Sequence, residues 1–347
     1  MAQSFAQAET DTPLSGKVIV ITGATSGIGL SLTRMLSKLG GTVVALGRSP
    51  SKLAEIRDDI PTVQTVQVDL VDLESVATAA EYISRMHERI DILVNNAGIH
   101  DGFDNLFGEY ETKQGYDQVF GVNYLSHFLL TEKIAPTIMN SSNPIVVQVS
   151  SLYHWAVDGS DLRPVGGKPP LASQKGGSHG FLVFRSTRSY ANTKLAQILH
   201  SRALKRRHPL LSKAQIVNVC PAWVLTKIQR NGGIFKHFLG LGAYDVNGWG
   251  VASILLAIFD NKKETNTDFY TNTRVSDIFS HLMAFQTGWM YKLGIRDVLG
   301  NFMAFCVLLT QRLLPDARGT ATSPPSYDER LGDALYDWSM SAVESFL

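Results

Sequence analysis

From Lys17 onward, short runs rich in β-branched residues alternate with longer stretches of helical periodicity, which restricts the chain to βαβ units feeding a parallel sheet. Residues 18–22, 42–46, 63–68, 92–95, 145–149 and 216–219 read as strands. Helices are expected over 28–39, 51–59, 73–88, 115–138 and 188–207. Six strands with intervening helices fit one doubly wound α/β sheet, a single Rossmann-like domain. With 44% hydrophobic and 18% charged residues, the chain has enough apolar side chain to fill such a core.

Two segments leave the alternation. Residues 152–189 carry six glycines and three prolines with little helical period, so they read as an insertion loop. Residues 274–315 are rich in Phe, Leu and Met and precede a turn-rich stretch and a short acidic helix from Tyr327. The longest apolar run there, 302–309, falls far short of the roughly 20 residues a spanning helix needs. The expected organisation is a flexible N-terminus at 1–15, a Rossmann-like catalytic domain at 16–270 and an irregular, largely helical C-terminal region at 271–347. That last region is expected to serve as a substrate lid or a membrane-associating surface.

Charge and cysteine content narrow the class further. Lys plus Arg number 32 against 31 for Asp plus Glu, a balance that gives no bulk field for nucleic acid. The cluster Lys205-Arg206-Arg207-His208 is the one local candidate, and cations in the last turn of a helix also complement its dipole. Two cysteines, Cys220 and Cys306, make neither a disulfide framework nor a Cys-x-x-Cys pair, and no metal site is expected. Residues 1–15 lack the basic start and apolar run of a secretory signal, so a cytoplasmic location is expected.

The first strand runs into Thr22-Gly23-Ala24-Thr25-Ser26-Gly27-Ile28-Gly29, after which helical period begins. Glycines let a backbone turn sharply and approach a phosphate, while the helix N-terminus favours its charge. The second strand ends at Arg48 with no carboxylate in the run, and a basic residue there can pair with the 2′-phosphate of NADP. NADP(H) is therefore expected in preference to NAD(H). Farther on, Tyr190 and Lys194 stand one helical turn apart, where an ammonium would favour the phenolate and bring Tyr190 toward the working range for proton transfer.

The segment 22–29 resembles the TGxxxGxG motif of short-chain dehydrogenases, and further stations agree in order and spacing: Asp69-Leu70, Asn95-Asn96-Ala97-Gly98, Asn123 and Tyr190-Ala191-Asn192-Thr193-Lys194. The resemblance covers 17–227 and fades beyond. It implies cofactor contacts from Gly23, Thr25, Ser26, Gly27, Ile28, Gly29, Asp69, Leu70, Asn96, Ala97 and Gly98, with Arg48 beside the ribose. Pro221, Val224 and Thr226 resemble the segment that packs on the nicotinamide, although Ala222 replaces its glycine. The implied catalytic set is Asn123, Ser151, Tyr190 and Lys194, with Ser150 as the alternative serine. In the implied mechanism Tyr190 is the acid or base of a hydride transfer, Ser151 polarises the substrate oxygen, and Lys194 binds the ribose and tunes Tyr190.

Residues 124–131 and 195–199 resemble retinol dehydrogenases and related lipid-active reductases, which implies a hydrophobic alcohol or carbonyl substrate. A homodimer and a peripheral contact with the endoplasmic reticulum or a lipid droplet are the associations the sequence allows. A redox sensor or scaffold that binds NADP(H) with little turnover is the alternative function.

Overall fold

The computed structural model describes residues 12–100, 111–165, 169–171, 185–221, 224, 246–260, 268–273, 315–317 and 322–347. The β-branched run Val-Ile-Val-Ile-Thr forms β1 (Val18–Thr22), followed by β2 (Thr42–Gly47), β3 (Gln64–Gln67), β4 (Ile92–Asn95), β5 (Ile145–Val149) and β6 (Gln215–Cys220). Two further strands, β7 (Phe269–Thr273) and β8 (Pro315–Ala317), complete a sheet of order β3-β2-β1-β4-β5-β6-β7-β8. All pairs through β7 are parallel, and β8 closes the edge antiparallel. Six strands were expected from the sequence. The Tyr-Thr-Asn-Thr portion of β7 lacks a β-branched run, and the three residues of β8 have turn composition, so their pairing comes from the sheet rather than from propensity. β7 also continues across position 270, where the sequence reading set its domain boundary.

Side chains alternate across this sheet with period two. Val20 and Leu93 enter one core layer with Phe128, Leu199 and Leu335, whereas Ile19 and Ile21 enter the other with Leu32, Leu36 and Ile254. Helices α1 (Gly27–Lys38), α2 (Pro50–Asp59) and α3 (Leu73–Met86) follow the first three strands, close to their expected bounds. The expected helix over 115–138 is instead interrupted. A short turn at Gln118–Phe120 passes into a π-helical turn at Gly121–Leu125 before α4 (Ser126–Met139) begins. Helix α5 (Arg185–Arg207) carries Tyr190 and Lys194, and α6 (Trp249–Phe259), apolar along its length and absent from the sequence reading, packs on β6 and β7.

The C-terminal helix α7 (Glu329–Val343) lies along α5 and gives Leu331, Leu335, Tyr336 and Val343 to the first core layer. It also pairs with two cations at the end of α5, Arg206 with Asp333 at 2.7 Å and Arg207 with Asp337, while His208 meets Glu132 of α4 at 3.0 Å. Within the expected 152–189 insertion, Leu152–Ala156 and Ser160–Leu162 form 3-10 turns and α5 begins at Arg185. At the N-terminus, Leu14 is buried and its N–H donates to Leu39 O at 3.0 Å, so packing begins before residue 16. Most of the 274–315 stretch lies outside the described residues.

Candidate active site

Strand order runs outward in opposite directions from β1 and β4, which opens a crevice at their C-terminal ends. A cavity of about 570 Å³ fills that crevice, within the size range of small-molecule sites. One end is the glycine turn. Gly23 and Gly27 take φ of +67° and +55°, a region side chains avoid. A Cβ on Gly29 would come within 2.3 Å of Gly23 O, so that position admits only hydrogen. Thr22 locks the turn to β4: its Oγ1 accepts from Asn96 N at 2.9 Å and Ala97 N at 3.0 Å, and Asn96 Nδ2 donates to Thr22 O at 2.8 Å.

Helix α1 leaves this turn without an acidic residue in its first turn, and Ser26 makes no side-chain cap. Its leading residues line the cavity, and among the described residues no side chain caps them, so the helix N-terminus presents a donor set that suits phosphate. Arg48 is exposed at the rim after β2. Asp69 lines the neighbouring wall, with its Oδ1 accepting from Val71 N at 3.2 Å. Leu70, Ala97 and Gly98 continue the lining toward the far end, where Ser151, Tyr190, Lys194, Pro221 and Val224 meet. Together these walls match an elongated phosphate-bearing ligand such as a dinucleotide. Thr226 lies outside the described residues.

The far end brings together residues from β5 and α5. Ser151 and Tyr190 line the same end of the cavity, whereas Ser150 Oγ is committed to Lys194 O at 2.8 Å. Of the two serines, Ser151 is the one whose side chain bears on the Tyr190 phenol. Tyr190 is flanked by the His100 ring at 5.0 Å and edge-on by Tyr153 at 5.8 Å. Lys194 Nζ lies 5.3 Å from the Tyr190 ring centroid and donates to Val149 O at 2.7 Å and Gln197 Oε1 at 3.2 Å.

Burial governs the protonation of this pair. It pushes the Tyr190 phenol above its ordinary range, an effect that nearby Cys220 adds to and the Ser151 hydrogen bond opposes. It lowers the Lys194 ammonium to about 7, with Cys220 acting in the other direction. Desolvation is the largest of these effects, so Tyr190 is a neutral phenol near neutral pH, whereas its helical spacing to Lys194 suggested a lowered one.

Asn123 sits behind the cavity wall in the π-helical turn and is fully buried. Its Oδ1 accepts from Ile99 N at 2.8 Å, and its Nδ2 donates to Ile99 O at 3.0 Å and Thr193 Oγ1 at 3.2 Å. It thus braces the cavity wall against α5. His154, which the sequence reading passed over, sits between Ser151 O, 2.6 Å from its Nδ1, and Ser323 N, 3.1 Å from its Nε2. The backbone of Ser151 is in this way tied to the C-terminal segment. Sequence position alone reveals neither His154, held in a 3-10 turn next to Ser151, nor the wall residues His100 and Gln118.

The profile of the short chain dehydrogenase family matches residues 17–157. The chain is 30% identical over 230 residues to mouse retinol dehydrogenase 13, covering 64% of this chain and 62% of that protein, less than two thirds of its length. It is 32% identical over 241 residues to human retinol dehydrogenase 12, covering 62% of this chain and 69% of that one. Among solved structures, a 3-ketoacyl-(acyl-carrier-protein) reductase from Brucella melitensis complexed with NADH superposes with a TM-score of 0.54 at 22% identity, over 74% of this chain and 97% of that one.

Proposed function

The chain belongs to the short chain dehydrogenase family, and from that premise we propose that it is an NADP(H)-dependent oxidoreductase interconverting a carbonyl and an alcohol on a hydrophobic substrate. The observation that carries this reading is the meeting of Ser151, Tyr190 and Lys194 at one end of the same cavity that begins at the uncapped helix N-terminus. A bound nicotinamide supplies or accepts the hydride. Gly23, Thr25, Ser26, Gly27, Ile28 and Gly29 would hold the phosphates, Asp69 and Leu70 the adenine end, and Arg48 the extra phosphate that distinguishes NADP(H). Asn96, Ala97 and Gly98, with Pro221 and Val224, would line the path to the ring; Thr226 is assigned with them by family pattern alone.

In reduction, Tyr190 donates its hydroxyl proton to the substrate oxygen as negative charge develops there, and Ser151 donates a hydrogen bond to the same oxygen. A neutral buried phenol is the protonation state this step requires. Lys194, titrating near neutrality, can return a proton toward Tyr190, and its ammonium can bind a ribose hydroxyl. Asn123 maintains the wall against which these groups sit. In oxidation the proton moves the other way, with Tyr190 as base.

The relatives named as retinol dehydrogenases favour a retinoid, steroid or lipid-like substrate. The apolar residues of 274–315 support a peripheral membrane or lipid-droplet contact; among the described residues no helix is long and apolar enough to cross a membrane. Purified protein assayed for NADPH oxidation against retinaldehyde, steroid ketones and fatty aldehydes tests the reading. Turnover abolished by Tyr190→Phe is expected, and tight NADPH binding without turnover of any of these would leave the sensor reading in its place.

A further inference from the structure

Helix α5 places Gln197 three positions beyond Lys194, with only 1% of it exposed. A buried carboxamide needs partners for both ends, and the chemistry of those partners fixes its orientation. The Lys194 ammonium can only donate, so it meets Oε1, at 3.2 Å. The Asn123 carbonyl can only accept, so it meets Nε2, at 2.9 Å. The same carbonyl, in the π-helical turn, lies 3.0 Å from His127 Nδ1, which must therefore carry a proton. Burial holds the His127 pKa down to about 4, so the ring is neutral and its Nε2 accepts. The donor to Nε2 is Thr22 Oγ1–H at 2.9 Å, the hydroxyl whose lone pairs already receive Asn96 N and Ala97 N.

Each bond in this series has a single chemically allowed direction. We propose that Gln197 is a positioning residue that gives the Lys194 ammonium its side-chain acceptor and couples it, through Asn123 O and His127, to Thr22 at the nucleotide turn. The inference rests on the role assigned to Lys194 above. An acceptor aimed at Nζ favours the charged amine against the burial that disfavours it, so Gln197 sets how much ammonium is present at neutral pH. The other titratable groups near Lys194 among the described residues are Tyr190 on its own helix, Cys220 at the end of β6 and His127 on α4.

Two variants separate this role from packing. Gln197→Met keeps length and volume but loses both polar ends, and Gln197→Glu keeps an acceptor on Lys194 while adding charge. The titration of Lys194 is read without substrate, by competitive acetylation with acetic anhydride across pH followed by peptide mass spectrometry. Gln197→Met is expected to lower the Lys194 pKa and Gln197→Glu to raise it, each by roughly one unit or more. With a carbonyl that the native protein reduces, Gln197→Met should cut kcat roughly tenfold with little change in KM, and the pH-rate profile should move with the labelling curve. A folded Gln197→Met protein with native titration and a native pH profile overturns the proposal. If Gln197→Met does not fold, Gln197→Glu decides alone, and an unshifted Lys194 in it has the same force. If the native protein reduces no carbonyl, the functional reading fails while the labelling still judges Gln197.

Discussion

Ser151 meets Tyr190 in one cavity wall although the whole 152–189 segment separates them in sequence, because β5 ends where the second turn of α5 passes over the sheet edge. Removing only the phenol oxygen with Tyr190→Phe should leave the contacts with His100 and Tyr153 in place. Turnover is expected to fall by roughly 10²–10⁴, the range of a lost general acid, with NADPH affinity changed less than threefold. Steady-state kinetics and fluorescence titration measure the two. A variant retaining most of its turnover would move the proton donor elsewhere.

Arg48 stands exposed at the rim of the cavity, where solvent weakens any charge pair. Arg48→Ala should therefore raise the Kd for NADPH about tenfold and leave that for NADH nearly unchanged, a loss on the scale of one charge-assisted contact. Isothermal titration at low and high salt checks it. An affinity ratio equal to that of the native protein would remove the basis for NADP(H) preference.

Gly29 tests the turn itself. A Cβ there meets Gly23 O at 2.3 Å and Asn96 Nδ2 at 2.6 Å, and the second atom belongs to the lock between β1 and β4. Gly29→Ala should cost about 1–3 kcal/mol of stability, as overpacking does, and weaken NADPH binding more than tenfold. Gly115→Ala offers a comparison: its φ of +79° carries strain, but its Cβ would approach no closer than 3.9 Å to Glu111 Oε2. Equal binding defects in both variants would show that backbone strain, not the turn contact, is responsible.

These residues also mark what the sequence made legible. Five of the first six strands announce themselves as apolar, β-branched-rich runs buried on both faces, while β3, Gln-Thr-Val-Gln at the edge of the sheet, is largely exposed. The glycine turn, Ser151, Tyr190 and Lys194 follow from a motif order that local chemistry explains. By contrast, β7 and β8 depend on a neighbouring strand, and the link from Thr22 through His127 to Gln197 joins three distant positions. The protonation of Tyr190 and Lys194 was illegible for another reason: helical spacing reports that two groups are neighbours, whereas burial, which decides their charge, depends on the whole fold.

Lys194 also has a measurable effect on stability. The unfolded chain keeps this proton to about 10.5, while in the folded protein burial lowers the pKa to about 7. Between those values the unfolded state binds more protons, so the free energy of unfolding rises with pH on this account. Urea denaturation from pH 7 to 10 should show a native stability that climbs relative to Lys194→Met, by about one proton's worth of slope. Parallel curves for the two proteins would contradict a depressed Lys194.

His200 acts in the opposite pH range. It is buried on α5 among Tyr124, Phe128 and Tyr336, with its ring 4.7 Å from that of Phe128, and its Nε2 finds no hydrogen-bond partner among the described residues. Burial, with smaller contributions from His208 and His127, lowers its pKa to about 3. The unfolded chain takes up this proton near 6.5, so between 6.5 and 3 the unfolded state binds more protons and stability falls as pH drops. His200→Phe keeps a ring of similar shape in an aromatic cage and removes the titration. Relative to the native protein, the variant should gain stability progressively as pH falls below 6.5 and should unfold at a lower pH. Acid denaturation followed by tryptophan fluorescence and far-UV circular dichroism gives the comparison. His127 and His154, both lowered to about 4 by burial, remain in the variant and should leave it with part of the native acid sensitivity. A His200→Phe protein whose stability runs parallel to the native curve from pH 7 to 4 would mean that His200 is protonated in the folded state, and the aromatic cage would then have to be holding a cation.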